Sequence, residues 1–272
     1  MIGRRATLTV VALLLGAADR VPVNAAPVTA TPISRLETPW WRNRHMEKVA
    51  TVAAHRDAQL VWLGDSITQF WEHTGPEEWN NFAPIWNRYY ARYDALNLGF
   101  VGDTTSHLLW RMQNGELDGL HPKVAIVLIG ANNLGRLHST AAQTVAGIAA
   151  VVAEAQRRMP GVHVLLLSVL PSIRNPYVTR TTETINRELA TRYAPGAIPG
   201  AIPGAIPGAI PGAIPGVTFK DVTHLYLRDG RVDPAMFLDP QLSPPQEAIH
   251  PTAQAQARLA EAIEPTLTRL MR

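Results

Sequence analysis

The chain has 272 residues, an apolar composition of 46% and a formal net charge of +3 at pH 7. That length and apolar content suit one large domain with a substantial core. The chain has no cysteine, which excludes disulfides, thiolate metal sites and a cysteine nucleophile. It also has no dense patch of Lys and Arg, so nucleic acid is not a predicted partner.

Residues 1–25 have the pattern of a secretory signal peptide. Arg4 and Arg5 precede an apolar run over 6–18, and small residues follow up to Ala25. The run has 13 residues, whereas a membrane span needs about 20, so no stable membrane anchor is predicted. We expect cleavage near Ala25 and a periplasmic or secreted mature protein. Cleavage removes three arginines and one aspartate, which leaves 22 basic and 21 acidic side chains, a net charge of +1.

A helical pattern covers 38–56, where Trp41, Val49 and Val52 share one face. We expect this helix to pack beside the first strand of the domain that follows. The pattern defines an N-terminal extension and helix at 26–57. Residues 58–272 are then predicted to form the main domain.

Five apolar, β-rich runs recur in this domain, with helical stretches between them. The runs are 60–64, 93–100, 123–130, 163–171 and 217–222, and the helical stretches are 106–117, 139–161, 181–194 and 251–271. Alternating strands and helices imply a parallel sheet, and continuous apolar strands favour a sheet covered on both faces. We therefore predict an α/β fold, a three-layer α/β/α sandwich around a five-stranded parallel sheet.

The tetrapeptide GAIP is repeated five times over 196–215. Pro-Gly favours type II turns, so the repeat is predicted to be a chain of turns and not a helix. It joins a helix to the start of a strand, whereas ligands of parallel sheets bind at the carboxyl ends of strands. We expect the repeat to lie on the rim opposite the chemistry and to have no function of its own.

Polar elements follow four of the predicted strands. Ser66 lies in GDSIT, Gly102 in GFVGDTT and Asn132 in GANN, and His250 lies in EAIHP beyond a long loop. A serine hydroxyl needs a base, and a neutral imidazole is the usual one, so we predict Ser66 as nucleophile and His250 as base. The backbone N–H groups of Ser66 and Gly102 and the Asn132 amide are predicted donors to the oxyanion.

Each of these signals has a structural alternative. Ser66 could start the following helix as its cap, Asn132 could belong to an ordinary loop, and His250 could mark the entry to a helix. Their order along the chain and their shared position after strands favour the catalytic interpretation.

These blocks, GDSIT, GFVGDTT, GANN and a His-Pro preceded by an acid, resemble the SGNH or GDSL hydrolase family. The stretch NLGFVGDTTSHLLWRMQNGELDGLHPKV is similar to the catalytic subunits of platelet-activating-factor acetylhydrolases. The resemblance covers about 58–270 without the repeat. It implies a flavodoxin-like sheet, a Ser-His-acid triad, an oxyanion hole from Ser66, Gly102 and Asn132, and an Asp65 that supports the turn. No Gly-x-Ser-x-Gly motif occurs, which argues against the ordinary α/β-hydrolase class.

The acid of the triad departs from the family pattern. The family usually has Asp three residues before the histidine, whereas this chain has Glu247. Glutamate can still accept the Nδ1 hydrogen bond of His250 and orient the imidazole. We predict Glu247 as the acid, with Asp239 as its substitute and Asp233 as a more distant one.

Other kinds of site have less support. The histidines lack His-Glu-x-x-His spacing and no Gly-rich phosphate loop follows a strand, so neither a metal site nor a nucleotide cofactor is predicted. Trp71, Trp79 and Trp86 could line a sugar platform, although such residues more often pack in a core.

The sequence therefore predicts an exported serine esterase that removes a short acyl group, chiefly acetyl, from an oxygen ester. A carbohydrate or other small-molecule ester is the expected substrate, and no cofactor or oligomeric state is predicted. The alternatives are acyl transfer to a polysaccharide, hydrolysis of lipid acetyl esters or lysophospholipids, and non-catalytic binding of a polysaccharide.

Overall fold

The structure is a computed structural model that describes residues 26–75, 81–172, 174–194, 215–238 and 249–272. Within these ranges, the strands of the main sheet are Leu60–Gly64 (β1), Leu96–Gly99 (β2), Val124–Leu128 (β3), His163–Leu167 (β4) and Val217–Lys220 (β5). They are all parallel and lie in the order β2-β1-β3-β4-β5. The predicted α/β class and five-stranded parallel sheet are confirmed.

Helices flank this sheet. The α-helices in the described ranges are Pro39–Ala54 (α1), Ser66–Gln69 (α2), Ala83–Tyr89 (α3), Thr105–Gln113 (α4), Ala131–Leu137 (α5), Ala141–Arg158 (α6), Pro176–Arg192 (α7) and Ala253–Leu270 (α8). Helices α4 and α7 both pack against α6, which contacts β4, while α3 packs against α8. A separate antiparallel hairpin joins Leu227–Arg228 (β6) to Arg231–Val232 (β7).

The central strands β1 and β3 form the middle of the core. Every residue of LVWLG and VAIVL is buried. Burying each large aliphatic side chain of these strands contributes about 1.5–3 kcal/mol to stability. The continuous apolar pattern, without polar alternation, is what a sheet covered on both faces requires.

The carboxyl ends of β1, β2 and β3 lie level with one another. Gly64 pairs with Gly99 of β2 and with Leu128 of β3. The segments that follow these three residues therefore leave the sheet at the same edge. This register brings together the polar motifs that follow the three strands.

Several element boundaries differ from the sequence prediction, and two of the differences have identifiable reasons. Strand β4 ends at Leu167 and not at 171, because the side chain of Asn186 bonds both the N–H and the C=O of Val169. Helix α7 begins at Pro176, five residues before the predicted start. Asn175 caps it by accepting a hydrogen bond from the N–H of Val178.

Tryptophans 71 and 86 pack in an aromatic cluster with Trp62 and Tyr90. The ring centroid of Trp62 lies 5.7 Å from that of Trp71 and 5.3 Å from that of Tyr90. The ring centroids of Trp86 and Tyr90 lie 5.0 Å apart. Trp71 is fully buried, so the core interpretation applies to it, whereas Trp86 is half-buried and packs against the same cluster. Trp79 lies outside the described residues.

Several predictions concern segments outside the described residues. These are the signal peptide at 1–25 and the GAIP repeat, of which only Pro215 is described. The described chain resumes next to the start of β5, where Gln156 donates to the Pro215 carbonyl. Among the helices of the described ranges, none has the length and apolar character that crossing a membrane requires.

Candidate active site

Ser66 is the first residue of α2, directly beyond the end of β1. The cap of this helix is Asp65, whose Oδ1 accepts a hydrogen bond of 3.0 Å from the N–H of Ile67. The Ser66 hydroxyl is therefore not consumed in capping, and the structural alternative for this residue is wrong. Ser66 is buried, yet its hydroxyl has a specific partner.

That partner is His250, 184 positions further along the chain. Its Nε2 lies 2.9 Å from Ser66 Oγ. The backbone holds the histidine in place, because its C=O accepts from the Leu238 N–H at 2.7 Å and Phe237 forms a β-bridge with Pro251. The predicted proximity of hydroxyl and imidazole is thus present in the structure.

The surroundings of His250 keep its imidazole neutral. Burial, followed by the positive charges of Arg174 and His73, lowers its pKa to about 4. The ring of Phe70 lies 4.5 Å from the imidazole, centroid to centroid, and forms part of the apolar surroundings. A neutral imidazole can accept the Ser66 proton on Nε2 when its own proton is on Nδ1.

The Nδ1 atom of His250 is buried, and no described residue forms a hydrogen bond with it. A buried donor without a partner is costly, which points to a group that completes the site. The predicted acids Glu247 and Asp239 both lie in 239–248, outside the described residues. Asp233 is engaged elsewhere: its carboxylate accepts from the Ala235 N–H at 3.0 Å and pairs with Arg228 at 2.7 Å.

Gly102 lies on the loop after β2 and Asn132 in the first turn of α5, at the same edge of the sheet. Gly102 has a φ of +74°, a conformation that glycine adopts without the strain of a Cβ atom. Asn132, in the first turn of α5, donates from Nδ2 to the Asp103 carbonyl at 3.0 Å. The same Nδ2 lies 3.5 Å from Asp65 Oδ2. Asn132 therefore links the segments that carry Ser66 and Gly102, and its two N–H groups donate to Asp103 and, over the longer distance, to Asp65.

Asp65 is a buried carboxyl with an altered protonation equilibrium. Burial raises its pKa to about 7, with a smaller contribution from the negative charge of Asp103. The N–H of Ile67 and the charge of Arg174 act in the opposite direction. Its bond to Ile67 supports the turn between β1 and α2, as the family resemblance implies.

A buried charged cluster below the site was not predicted from the sequence. Arg111 is fully buried and donates from Nε to Asp103 at 2.8 Å and from Nη2 to the Gly64 carbonyl at 3.3 Å. It also pairs with Glu116, and its guanidinium lies 3.8 Å from the centre of the Phe100 ring. We call these five residues the Arg111 cluster. It ties the end of β1 to the loop after β2.

Further polar groups complete the pairing of this cluster. Asp103 accepts from Trp41 Nε1 at 2.8 Å and from Arg35 at 3.1 Å, and Glu116 lies 2.8 Å from His45 Nδ1. Both carboxylates are thus surrounded by donors, as buried charges require. The signal in the sequence was a charged residue, Arg111, inside the apolar face of α4.

The sequence around the site matches a known family. The family model described as GDSL-like lipase/acylhydrolase matches residues 62–199. This match covers half of the chain, and the chain belongs to this family of carboxylic ester hydrolases. Within the described residues, no group of three or more His, Cys, Asp or Glu side chains is placed to hold a metal ion.

Individual relatives agree with this assignment. The chain is 35% identical over 136 residues to platelet-activating factor acetylhydrolase IB subunit alpha1 of Bos taurus, covering 50% of this chain and 53% of that protein. The chain thus matches only about half the length of this curated relative. The predicted similarity to the acetylhydrolase catalytic subunits is confirmed over that part.

Two solved structures share the fold. A GDSL-like lipase from Bacteroides thetaiotaomicron superposes with a TM-score of 0.58 at 15% identity, covering 84% of this chain and 97% of that one. A carbohydrate acetylesterase family member from Sinorhizobium meliloti superposes with a TM-score of 0.52 at 15% identity, covering 78% and 98%. At such identities the similarity establishes the common fold alone.

Proposed function

We propose that the protein is an exported serine esterase that hydrolyses short-chain oxygen esters, chiefly acetyl esters, with Ser66 as nucleophile. The observation that carries this proposal is the 2.9 Å separation of Ser66 Oγ and His250 Nε2. A nucleophile and a base within hydrogen-bond reach at a strand end are the arrangement that acyl transfer requires. Family membership supports the same reaction class.

The first half of the reaction forms an acyl-enzyme. Ser66 Oγ attacks the ester carbonyl carbon while His250 Nε2 takes the hydroxyl proton, and the carbonyl oxygen becomes an oxyanion. The N–H groups of Ser66 and Gly102 stabilise that oxyanion, together with the Asn132 N–H that exchanges its long bond to Asp65 for the substrate oxygen. The intermediate then expels the alcohol, which receives the proton from His250.

The second half regenerates the enzyme. A water molecule gives one proton to His250 Nε2 and attacks the acyl carbon, which forms a second oxyanion in the same position. Collapse releases the carboxylic acid and returns the proton to Ser66 Oγ. No cofactor is needed at any step.

An acid at Nδ1 of His250 completes the proposed triad, and we assign this role to Glu247. It stands three residues before His250 in the chain. A carboxylate there would orient the imidazole and raise its pKa, opposing the effects of burial and of Arg174. Asp239 is the competing candidate, since it directly follows Leu238, whose N–H bonds the His250 carbonyl.

The identity of the alcohol separates two versions of the proposal. A carbohydrate ester follows from export, which the sequence pattern of 1–25 predicts. A lipid acetyl ester is the second candidate, because the 35%-identical relative is by its name a platelet-activating factor acetylhydrolase. Both versions share the acetyl group and the residues that act on it.

A substrate panel tests the proposal. Purified mature protein would be assayed with nitrophenyl esters of increasing acyl length, acetylated sugars and platelet-activating factor, with and without a sugar acceptor. We expect hydrolysis to be fastest with acetyl and to release free acetate. No turnover of any ester by folded protein would contradict the proposal, and acetate appearing on the acceptor would identify a transferase.

A further inference from the structure

Arg136 stands next to two of the proposed oxyanion donors. It follows Asn132 by four residues in α5, so the two side chains lie on the same face of that helix. Its guanidinium also occupies the space beside Gly102: a Cβ placed on Gly102 would lie 2.8 Å from Arg136 Nη2. The charge therefore lies at the entrance to the proposed oxyanion hole.

Arg136 is exposed to solvent and is not engaged by the surrounding protein. In the described part of the chain it forms no hydrogen bond and no ion pair, unlike the neighbouring Arg35 and Arg174. Arg174 donates to the Ala131 carbonyl at 3.0 Å, at the start of the same helix. An exposed guanidinium without a protein partner can bind an anion at little desolvation cost.

The described carboxylates nearby do not offset this charge. Asp103 is fully buried and bonded to Arg35 and Arg111. The pKa of Asp65 is raised to about 7 by burial, so this carboxyl is only partly ionised near neutral pH. Burial lowers the pKa of His107 to about 4 against the opposing charge of Asp103, and the charges of Arg35, Arg111 and Arg136 add to the lowering. The described surroundings of the site are thus electropositive.

We propose that Arg136 is a specificity-determining residue that binds an anionic group, a carboxylate or phosphate, on the substrate beside the scissile ester. The inference rests on the proposed esterase function and narrows its substrate class to acyl esters of anionic compounds. The planar guanidinium suits both oxyanions, since two parallel N–H groups can bond two oxygens at once. Acetylated uronic acids and acetylated phosphate esters both have this chemistry.

Pairs of esters that differ in one charge test the inference. The alcohol side is probed with 2-, 3- and 4-acetoxybenzoate against the matching acetoxybenzamides. The acyl side is probed with 4-nitrophenyl hydrogen succinate against 4-nitrophenyl butyrate. Acetylated galacturonate against acetylated galactose, and platelet-activating factor as a further substrate, then separate the carboxylate source from the phosphate source.

The variants are Arg136→Gln, Arg136→Lys and, as a control, Arg88→Gln, which removes an exposed arginine from α3. We expect Arg136→Gln to lower kcat/KM for at least one anionic probe by about tenfold, the scale of a charge-assisted hydrogen bond. Its uncharged analogue should change by less than about twofold. Arg136→Lys should retain part of the preference for the anionic over the uncharged ester, and Arg88→Gln should retain all of it. High salt should weaken this preference in the parent protein.

Two results would overturn the inference in distinguishable ways. Equal losses for charged and uncharged members of every pair, or no loss at all, would refute the assignment of Arg136 while leaving the esterase function intact. Failure of the parent protein to hydrolyse any ester, charged or uncharged, would refute the proposed function and this inference with it.

Discussion

Two buried polar clusters adjoin the end of β1, and they differ in how completely their groups are paired. In the Arg111 cluster, Asp103 and Glu116 each bond the buried guanidinium and at least one further donor. In the other, Ser66 and His250 bond each other, while Nδ1 of His250 has no partner among the described residues. A fully paired cluster stabilises the fold and positions the segments around it, whereas an incompletely paired cluster has polar groups available for chemistry.

The largest effect is expected from removing the acid that pairs with Nδ1 of His250. Glu247→Ala should lower kcat by about 10³-fold, because His250 would lose the carboxylate that orients it and stabilises its charged form. Nitrophenyl acetate kinetics on Glu247→Ala and Asp239→Ala, made in parallel, provide the measurement. Asp239→Ala is the matched control and should change kcat by less than about threefold.

An unchanged rate in Glu247→Ala with a large loss in Asp239→Ala would transfer the role to Asp239. Glu247→Asp adds a further check, because the family pattern has Asp in this position. It should retain more activity than Glu247→Ala.

Breaking the first cluster should reduce stability. Arg111→Met leaves Asp103 and Glu116 without their shared buried cation, and should lower the free energy of unfolding by about 3–5 kcal/mol. Urea denaturation measures this change. Arg88→Gln, on the surface, should stay within about 0.5 kcal/mol of the parent. An unchanged midpoint for Arg111→Met would show that the cluster has no stabilising role.

Asp65 lies between the two clusters, and its titration should make the stability of the protein depend on pH. The unfolded chain releases this proton near 3.8, whereas the folded protein keeps it until about 7. The stability contributed by the protonated form is therefore complete below pH 3.8 and is lost as the pH rises to 7. Asp65→Asn keeps a capping side chain without the titration.

The stability of the parent relative to Asp65→Asn should accordingly fall between pH 4 and pH 7. Urea unfolding of both proteins across this range is the measurement. A difference that stays constant with pH would mean that Asp65 titrates alike in the folded and unfolded states.

The smallest effect is expected from the GAIP repeat. The described chain resumes after it at the amino end of β5, whereas Ser66 follows the carboxyl end of β1. Deletion of four of the five copies should leave kcat/KM for nitrophenyl acetate within about twofold. A large loss in a soluble, folded deletant would show that the repeat reaches the active site.

The sequence was sufficient to predict the sheet and the residues that meet at its edge. Ser66, Gly102 and Asn132 each follow an apolar strand, and parallel strands direct their carboxyl ends to a common edge. Ser66 could be paired with His250 because a serine nucleophile needs a base, and the family resemblance then supported this pairing across the 184 positions that separate the two residues.

Other features depended on contacts that local patterns do not reveal. The partners of Arg111 lie at the end of β1, in the loop after β2 and beyond the end of α4, and their meeting is a product of tertiary packing. Helix α5 has only seven residues and follows Gly130, whose φ is 126°, so the helix is too short for hydrophobic periodicity to indicate it. Side-chain bonds from Asn186 ended β4 early, which no strand propensity could predict.

The central claim is that Ser66, activated by His250, is the nucleophile. Labelling with a fluorophosphonate followed by peptide mass spectrometry tests it directly, on the parent, on Ser66→Ala, on His250→Gln and on His55→Gln, which alters an exposed histidine. We predict one adduct, on the peptide containing Ser66, in the parent and in His55→Gln. Ser66→Ala should form no such adduct, and His250→Gln should form it much more slowly or not at all. Folded parent protein that takes up no label, or Ser66→Ala that still hydrolyses nitrophenyl acetate at the parent rate, would contradict the claim.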